Sequence, residues 1–326
     1  MRIAVLYSYA PQAGIIGGFK ALGYEVESFF YGIDKVSLYQ RIKWKFFKTQ
    51  DRFLTKNFNK QIDNIFTEHL KANFDILLII KGKKATQKSK SLLKKMNSTS
   101  KILWTTDSVE RFPHQLSVKD LVDKVFVQDG DDVKFIENSE WLPLGFDETI
   151  YKISDEKNID ILLFGNCDTK FYSNRVAYFL EASKLGDKFT IKFIGSNLDD
   201  RAKKILIKNN VEIIRTLSFK DFANKISRSK IAINIHQDDG SKAINPLFFA
   251  IPGSRTVQVT NNKEYYKSWL AAEKGFFPVE KKDLNKKLES IISDYNNFKL
   301  SKEYLDKINK VHTYKGRALK LLGKNE

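Results

Sequence analysis

The residues best suited to acid and base chemistry follow a short apolar run, Lys101 to Thr105. Asp107 comes two residues after this run, and His114 lies a little further along the chain. If the run is a strand of an open α/β sheet, Asp107 lies at its carboxyl end, where the ligands of such sheets bind. Asp107 could then accept a proton or a hydrogen bond from a hydroxyl group, with His114 as a second candidate. The alternative for Asp107 is a cap at the start of the next helix.

A second group of residues could bind a diphosphate. Gly165 and Asn166 end another apolar run, and Arg175 falls in the amphipathic segment that follows it. Backbone N–H groups at the start of a helix, together with a guanidinium group, can neutralise phosphate charge. Lys242 lies in a polar loop after the run that ends at His236 and is a further candidate. The alternative for both basic side chains is a solvated surface position, since the chain has 56 Lys and Arg residues.

The histidines and the cysteine do not predict a metal site. No spacing typical of metal ligands relates His69, His114, His236 and His312. The single cysteine, Cys167, excludes an internal disulfide and a cysteine-rich zinc site. We therefore expect no metal cofactor. His236, at the expected end of a strand, could contact a ligand or be a hydrogen-bonded structural histidine.

A glycine-containing loop is predicted from Ser8 to Gly18, after the first strand. Gly14, Gly17 and Gly18 could let backbone N–H groups approach an anion closely before a helix begins. The spacing is not the G-x-G-x-x-G of dinucleotide-binding proteins. A tight turn without a ligand is the alternative.

Short apolar runs alternate with longer amphipathic segments along the whole chain. This pattern predicts parallel strands joined by crossover helices. The predicted strands are Arg2 to Tyr7, Glu25 to Phe30, Asp75 to Ile80, Lys101 to Thr105, Lys124 to Gln128, Ile159 to Phe164, Thr190 to Ile194, Val211 to Arg215, Lys230 to His236, Thr256 to Thr260 and Gly275 to Val279. The clearest helices are Ser173 to Ala182, Leu198 to Lys208 and Ser218 to Ser227, with Ser218 as an N-cap. Lys281 to Gly323 is predicted to be polar helix.

The length of 326 residues predicts two domains of about 150 residues each, because one core rarely grows larger. The segment Trp141 to Lys152 is interpreted as the connection between them. We expect an α/β protein with two Rossmann-like domains whose parallel sheets face a central cleft. The expected domains are residues 1–150 and 151–300, followed by a C-terminal helix, 301–326, that packs back on the first domain.

The net charge of +17 indicates a surface that attracts anionic partners. No signal peptide or membrane span is evident, so we expect a cytoplasmic protein, with peripheral contact to an anionic membrane as an option. The basic and aromatic segment Arg41 to Lys60 could rest on anionic lipid or be an ordinary helix with a basic solvent face. Nucleic acid is a weaker alternative, because the basic residues are dispersed and no nucleic-acid-binding motif is present.

Three segments and one arginine resemble the GT-B glycosyltransferases, and among them the CgeB-like and related group 1 transferases. Leu142 to Asp147 matches a phrase that ends the first domain in that family. Phe164 to Asn166 and Arg175 match the strand end and the helix arginine that open the second domain. Ile244 to Gly253 approximates the family segment I-N-P-R-x-F-E-x-x-x-x-G.

The resemblance implies that the second domain binds a nucleotide-activated sugar and that the first domain binds the acceptor. The implied donor contacts are Gly165, Asn166, Arg175, His236, Lys242, Asn245, Phe249 and Gly253. On the acceptor side the expected residues are Gly17, Gly18 and Ser108, with Asp107 and His114 as catalytic groups. The implied reaction is sugar transfer to a bacterial glycan or lipid-linked glycan without a metal.

Two positions depart from the family pattern. Leu247 stands where relatives have Arg, and Ala250 stands where relatives have the carboxylate that holds the donor ribose. Asp238 or Asp239 could replace that carboxylate. The alternative is a GT-B-like protein that binds sugar nucleotides or glycans without turnover.

Overall fold

The computed structural model describes residues 1–33, 50–214, 217–236, 244–261 and 275–324. The chain divides into two compact units: Met1–Leu144 with Tyr314–Glu326, and Gly145–Thr313. The expected boundary at residue 150 falls close to the division after Leu144, and the expected C-terminal segment is divided at Thr313 between the two units.

The first unit contains a six-stranded parallel sheet in the order β2-β1-β3-β4-β5-β6. Its strands are β1 Arg2–Tyr7, β2 Glu25–Phe30, β3 Ile76–Ile80, β4 Ser100–Trp104, β5 Lys124–Val127 and β6 Ser139–Trp141. The helices in this part of the chain are α1 Gly14–Ala21, α2 Gln50–Lys71 and α3 Gln87–Lys95, with 3₁₀ helices at Ala10–Ala13, Pro113–Leu121 and Gly130–Lys134.

Alternating apolar residues give the first sheet two buried faces. In β1, Ala4 and Leu6 pack on one side with Phe58 of α2, while Ile3 and Val5 pack on the other side with α1. Burial on both faces explains why these strands are continuous apolar runs, as expected for a parallel sheet covered by helices.

The second unit contains another six-stranded parallel sheet, in the order β12-β11-β10-β7-β8-β9. Its strands are β7 Ile159–Asn166, β8 Ile191–Ser196, β9 Glu212–Ile214, β10 Ser229–Asn234, β11 Val257–Asn261 and β12 Phe276–Val279. The helices are α4 Thr169–Ser183, α5 Asp200–Lys208, α6 Phe219–Ser227, α7 Leu247–Gly253, α8 Leu284–Ser293, α9 Tyr295–Phe298 and α10 Lys302–His312.

The α/β prediction with two parallel sheets is confirmed, and each predicted strand corresponds to an observed one. Ser218 is the N-cap of α6 as predicted, since its side chain accepts a hydrogen bond from the Asp221 N–H. β6 was missed, because three residues are too few to show a period. The predicted polar helix from Lys281 to Gly323 is instead a series of short helices that ends with α11, Tyr314–Leu321, in the first unit.

Candidate functional site

The second sheet has its topological switch point between β7 and β10. From β7 the chain continues outward through β8 to β9, and from β10 it continues in the opposite direction through β11 to β12. The helices that follow β7 and β10 therefore cover opposite faces of the sheet. In open α/β sheets this arrangement leaves a crevice at the carboxyl ends of the strands, where ligands bind.

Arg175 lies at this switch point. Its Nε and Nη2 donate to the carbonyl oxygen of Ile235, just after β10, at 3.0 and 2.6 Å. Its Nη1 donates to the carbonyl oxygen of Asn166, at the end of β7, at 2.7 Å. The guanidinium carbon lies 4.0 Å from the ring centroid of Tyr172. Arg175 is only 8% exposed, so the alternative of a solvated surface arginine is wrong.

Gly165 and Asn166 form the end of β7 beside this arginine. Gly165 has φ +130°, a conformation that residues with a side chain rarely adopt, and a Cβ there would lie 2.9 Å from Nη1 of Arg175. The Asn166 side-chain oxygen accepts hydrogen bonds from the Asp168 N–H at 3.0 Å and from Asn197 Nδ2 at 2.8 Å. A larger residue in place of Gly165 would be strained by this φ and would press against the guanidinium of Arg175.

His236 lies after β10 and is buried. Its backbone N–H donates to Asn261 Oδ1 at 3.2 Å, and its Nδ1 lies 3.4 Å from the hydroxyl of Thr260. The ring also contacts that of Phe248, with centroids 5.8 Å apart. Whether His236 contacts a donor stays a prediction. Lys242, Asp238 and Asp239 lie outside the described residues.

Asn245 belongs to a polar network beneath this edge. Its Oδ1 accepts from the N–H of Phe248, in the first turn of α7, at 3.1 Å, and its Nδ2 donates to Asn234 Oδ1 at 2.9 Å. Asn234 Nδ2 donates to Gln258 Oε1 at 2.7 Å, and Gln258 Nε2 donates to the Phe248 carbonyl at 3.0 Å. The network fixes the start of α7 against β10 and β11, so Asn245 has a structural role whether or not it also contacts a donor.

Phe249 and Gly253, two of the expected donor contacts, are packing residues in this structure. Phe249 is completely buried and stacks on His312 of α10, with ring centroids 3.9 Å apart. A Cβ on Gly253 would lie 2.5 Å from the Phe146 ring. Ala250 is completely buried as well. Phe249 and Gly253 therefore have packing roles, and whether they also contact a donor stays a prediction.

The first sheet has its own switch point, between β1 and β3, and polar residues follow its strands. Asp107, after β4, pairs with Lys81, after β3; Lys81 Nζ and Asp107 Oδ2 are 2.5 Å apart. The Asp107 side chain is 37% exposed and is therefore accessible to a substrate. The next helix is the 3₁₀ helix Pro113–Leu121, whose N-cap residue is Phe112 and which has no side-chain cap. The alternative that Asp107 caps this helix is therefore wrong.

Gln115, which the sequence did not single out, holds the loop that carries Asp107. It is completely buried. Its Oε1 accepts from the Thr106 N–H at 3.1 Å, and its Nε2 donates to the carbonyl oxygens of Asp107 and Phe112 at 3.1 and 3.3 Å. Ser108, expected to contact an acceptor, is buried in the same loop, and its carbonyl oxygen accepts from the Phe112 N–H. No sequence pattern marks Gln115, because its partners belong to an irregular loop.

His114 lies in a group of charged side chains near Asp107. Partial burial, with the charges of Lys83 and Lys81, lowers the pKa of His114 below its ordinary value of 6.5. A hydrogen bond from Lys83, at 2.5 Å, lowers the pKa of Asp51. His114 is therefore favoured in its neutral form, which can accept a proton. Lys81 directly follows a predicted strand and Lys83 lies two residues later, a position that could have identified them.

The predicted glycine loop is wrong in its extent, since Gly14, Gly17 and Gly18 all belong to α1. A Cβ on Gly18 would overlap the backbone carbonyl of Tyr314, and one on Gly14 would overlap the Tyr314 ring. These two glycines allow α11 to pack closely on α1. Gly17 faces open space and is exposed, so its acceptor contact stays a prediction.

The described half of the basic segment, residues 50–60, belongs to α2, while residues 41–49 lie outside the described part of the chain. Phe58 is completely buried in the first core, and Phe53 is 37% exposed. Across the described residues, no helix has the length and apolar character needed to cross a membrane. The same residues include no cluster of three or more His, Cys, Asp or Glu side chains arranged to hold a metal ion.

Comparison with solved structures identifies the fold as GT-B. Sucrose-phosphate synthase from Thermosynechococcus elongatus aligns with a TM-score of 0.65 at 11% identity, covering 99% of this chain and 98% of that one. A glycosyltransferase from Rickettsia africae gives 0.64 at 14% identity, with 99% and 97% covered. UDP-GlcNAc 2-epimerase from Neisseria meningitidis, bound to UDP-GlcNAc, gives 0.56 at 12% identity, with 99% and 98% covered. Identities this low establish the fold alone.

The sequence itself identifies the class more closely. Residues 175–323 match the model of a family described as glycosyl transferase-like, and the chain carries a domain of that family over this range. The resemblance to CgeB-like GT-B glycosyltransferases is thereby confirmed. No curated protein sequence matches the chain.

Proposed function

We propose that this protein is a glycosyltransferase that moves a sugar from a nucleotide-sugar donor to a hydroxyl group of a bacterial glycan or glycoconjugate. The observation that carries the proposal is the position of Arg175. Its guanidinium lies at the switch point of the second sheet, inside the glycosyl transferase-like segment, and is fixed by two backbone carbonyls.

The second unit offers a suitable environment for a leaving diphosphate. As the glycosidic bond to the diphosphate breaks, negative charge develops on the leaving oxygen. A fixed cation stabilises this charge without having to reorganise, which is an efficient form of catalysis. The side-chain amides of Asn166 and Asn197 at the same edge add hydrogen-bonding groups. The epimerase with the same fold, bound to UDP-GlcNAc, supports a nucleotide sugar as the ligand.

The first unit offers a base. In the proposed step, the acceptor hydroxyl oxygen attacks the anomeric carbon and its proton passes to the Asp107 carboxylate. The electron pair of the broken carbon–oxygen bond leaves with the nucleoside diphosphate. A base within hydrogen-bond reach of the hydroxyl typically accelerates such a step by about 10²–10⁴-fold. His114 is the second candidate for this role, since its lowered pKa favours the neutral form.

An inactive sugar-nucleotide-binding protein is the second candidate function. Its support is Ala250, which is completely buried where relatives have a carboxylate. The neighbouring residues of α7 are also buried, and the helix carries no acidic residue that could hold a ribose. Nucleotide binding without turnover is the outcome that this second candidate predicts.

The experiment is a ligand screen followed by a turnover assay on the full chain. Thermal shift with UDP-, GDP- and dTDP-sugars identifies the donor, because a ligand that binds only the folded state raises its apparent stability. Release of nucleoside diphosphate is then measured with and without bacterial glycan acceptors. Release that requires an acceptor supports the transferase. Binding without release supports the inactive protein, and UDP-GlcNAc converted without an acceptor would indicate epimerisation instead.

A further inference from the structure

Lys81 has a backbone conformation that is unusual for a lysine. Its φ is +71°, in the left-handed region, and Gly82 after it has φ +60°. Side chains are disfavoured in this region, and glycine or asparagine is the usual choice. Strained residues of this kind persist where the surrounding structure holds them, often at functional sites. A lysine directly follows β3, although a glycine at this position would relieve the strain.

The conformation directs the Lys81 ammonium group over the carboxyl edge of the first sheet. Nζ lies 2.5 Å from Asp107 Oδ2 and 5.3 Å from the ring centroid of Phe112. An ammonium group has three N–H donors, and among the described residues only Asp107 pairs with it. The side chain is 26% exposed, so the remaining donors are accessible to an incoming group without loss of the Asp107 pair.

Further cations surround the same point. Lys83 is buried and holds Asp51, which leaves that carboxylate neutralised. The guanidinium of Arg111 lies 5.5 Å from the Phe112 ring centroid. The neighbouring His114 senses the charges of both Lys81 and Lys83. A negatively charged group that approaches Lys81 therefore meets two carboxylates, Asp107 and Asp51, that already have cationic partners.

We propose that Lys81 is an acceptor-specificity residue, which binds a negatively charged group carried by the acceptor beside the hydroxyl that Asp107 deprotonates. This inference rests on the proposed glycosyl transfer and names its acceptor class: a sugar that bears a phosphate or a carboxylate. A charge-assisted hydrogen bond from Nζ to such an anion spans about 2.8 Å. Since Asp107 is equally close to Nζ, the anion and the reacting hydroxyl belong to the same sugar unit.

The first experiment measures binding on the full chain with three probes: glucose 6-phosphate, glucuronate and glucose. Lys81→Asn removes the charge but keeps a residue that tolerates the left-handed conformation. Lys94→Asn, on the exposed side of α3, is the matched control. We expect the wild type and the control to bind the two anionic probes more tightly than glucose. In Lys81→Asn this preference falls on the order of tenfold or more, while the melting temperature is unchanged or raised.

The second experiment measures transfer, as the ratio of kcat/KM for an anionic acceptor to that for its neutral counterpart. Any effect of Lys81 on Asp107 applies to both acceptors and therefore cancels in the ratio. If Lys81 had a purely structural role, its replacement would leave the ratio constant. We expect it to fall at least tenfold in Lys81→Asn and to stay constant in Lys94→Asn. The acceptor whose ratio falls in Lys81→Asn, phosphorylated or carboxylated, identifies the anion that Lys81 binds.

The outcomes separate the two proposals. The role of Lys81 is overturned if the wild type binds charged and neutral probes equally. It is also overturned if Lys81→Asn still prefers the anionic probes. Either result leaves glycosyl transfer intact. Anionic binding that depends on Lys81, with no donor bound or consumed by any variant, overturns glycosyl transfer while the anion site stands.

Discussion

Arg175 donates two hydrogen bonds from Nε and Nη2 to the carbonyl oxygen of Ile235, at 3.0 and 2.6 Å. Because Nη1 also bonds the Asn166 carbonyl, one side chain of α4 joins the ends of β7 and β10. The arginine is thus both the proposed cation of the donor site and part of the fold. Its removal should therefore affect the fold as well as the donor site.

Arg175→Ala is expected to weaken donor binding and to lower stability by about 1–3 kcal/mol, because the buried Ile235 carbonyl and the partly buried Asn166 carbonyl lose their partner. Thermal unfolding and donor titration measure the two effects. Arg201→Ala, at an exposed position of α5, is the matched control. Donor affinity that equals the wild type in folded Arg175→Ala would remove this residue from the proposed site.

Asp107→Asn is expected to reduce turnover by about 10²-fold or more while donor affinity changes little, because the amide cannot accept the acceptor proton. Steady-state kinetics and donor titration check the separation. Asp155→Asn, whose side chain is 96% exposed, serves as the control. Equal turnover in Asp107→Asn and the wild type rejects the base and leaves His114 as the candidate.

Gly18→Ala and Gly17→Ala are expected to change stability in opposite directions. The Cβ on residue 18 overlaps the Tyr314 backbone, so we expect a loss of about 1–3 kcal/mol from overpacking between α1 and α11. The Cβ on residue 17 meets open space, so the helix gains about 0.5–1 kcal/mol. Thermal unfolding of the two variants measures the contrast. Similar effects in both would show that α11 does not pack on α1 in this way.

Asp132→Asn is expected to stabilise the protein increasingly as the pH rises. Burial raises the pKa of Asp132 from 3.8 to about 6, and the side chain accepts hydrogen bonds from the Val109 N–H. A raised folded-state pKa contributes stability that is complete below pH 3.8 and is lost as the pH passes through about 6.

The asparagine keeps the acceptor oxygen and cannot ionise. Its stability relative to the wild type should therefore increase between pH 4 and pH 6 and then level off, by on the order of 1–3 kcal/mol. Melting temperatures across this range test the prediction. A difference between the two proteins that stays constant with pH would show that Asp132 remains charged in the folded state.

The sequence predicted most elements of the fold, because burial on both faces of a parallel sheet leaves a local signal. The runs at Arg2–Tyr7 and Glu25–Phe30 coincide with observed strands. The cap at Ser218 was equally predictable, since its partner is the N–H three residues later. These features depend on neighbouring residues and can be identified without knowing the tertiary fold.

The candidate sites were predictable only in part. Asp107 and Arg175 were identified because each follows a recognisable strand. Lys81 was missed, although it also follows a strand, because its importance comes from a left-handed backbone and from a carboxylate on the next strand. Gln115 has no local signal at all. The stacking of Phe249 on His312 was equally invisible, because the two residues are far apart in the sequence.

The amino-acid sequence by itself determined that this chain forms two parallel α/β sheets and resembles GT-B glycosyltransferases, since periodicity and short motifs are local properties. Only the tertiary structure decided which polar side chains meet at each sheet edge and which are used in packing. In the sequence, Gly18 and Gly253 look like ligand-binding glycines. In the structure, Gly18 leaves room for the backbone of Tyr314, and Gly253 leaves room for the Phe146 ring. The physical reason is that burial and pairing depend on distant segments, which crossover connections bring together.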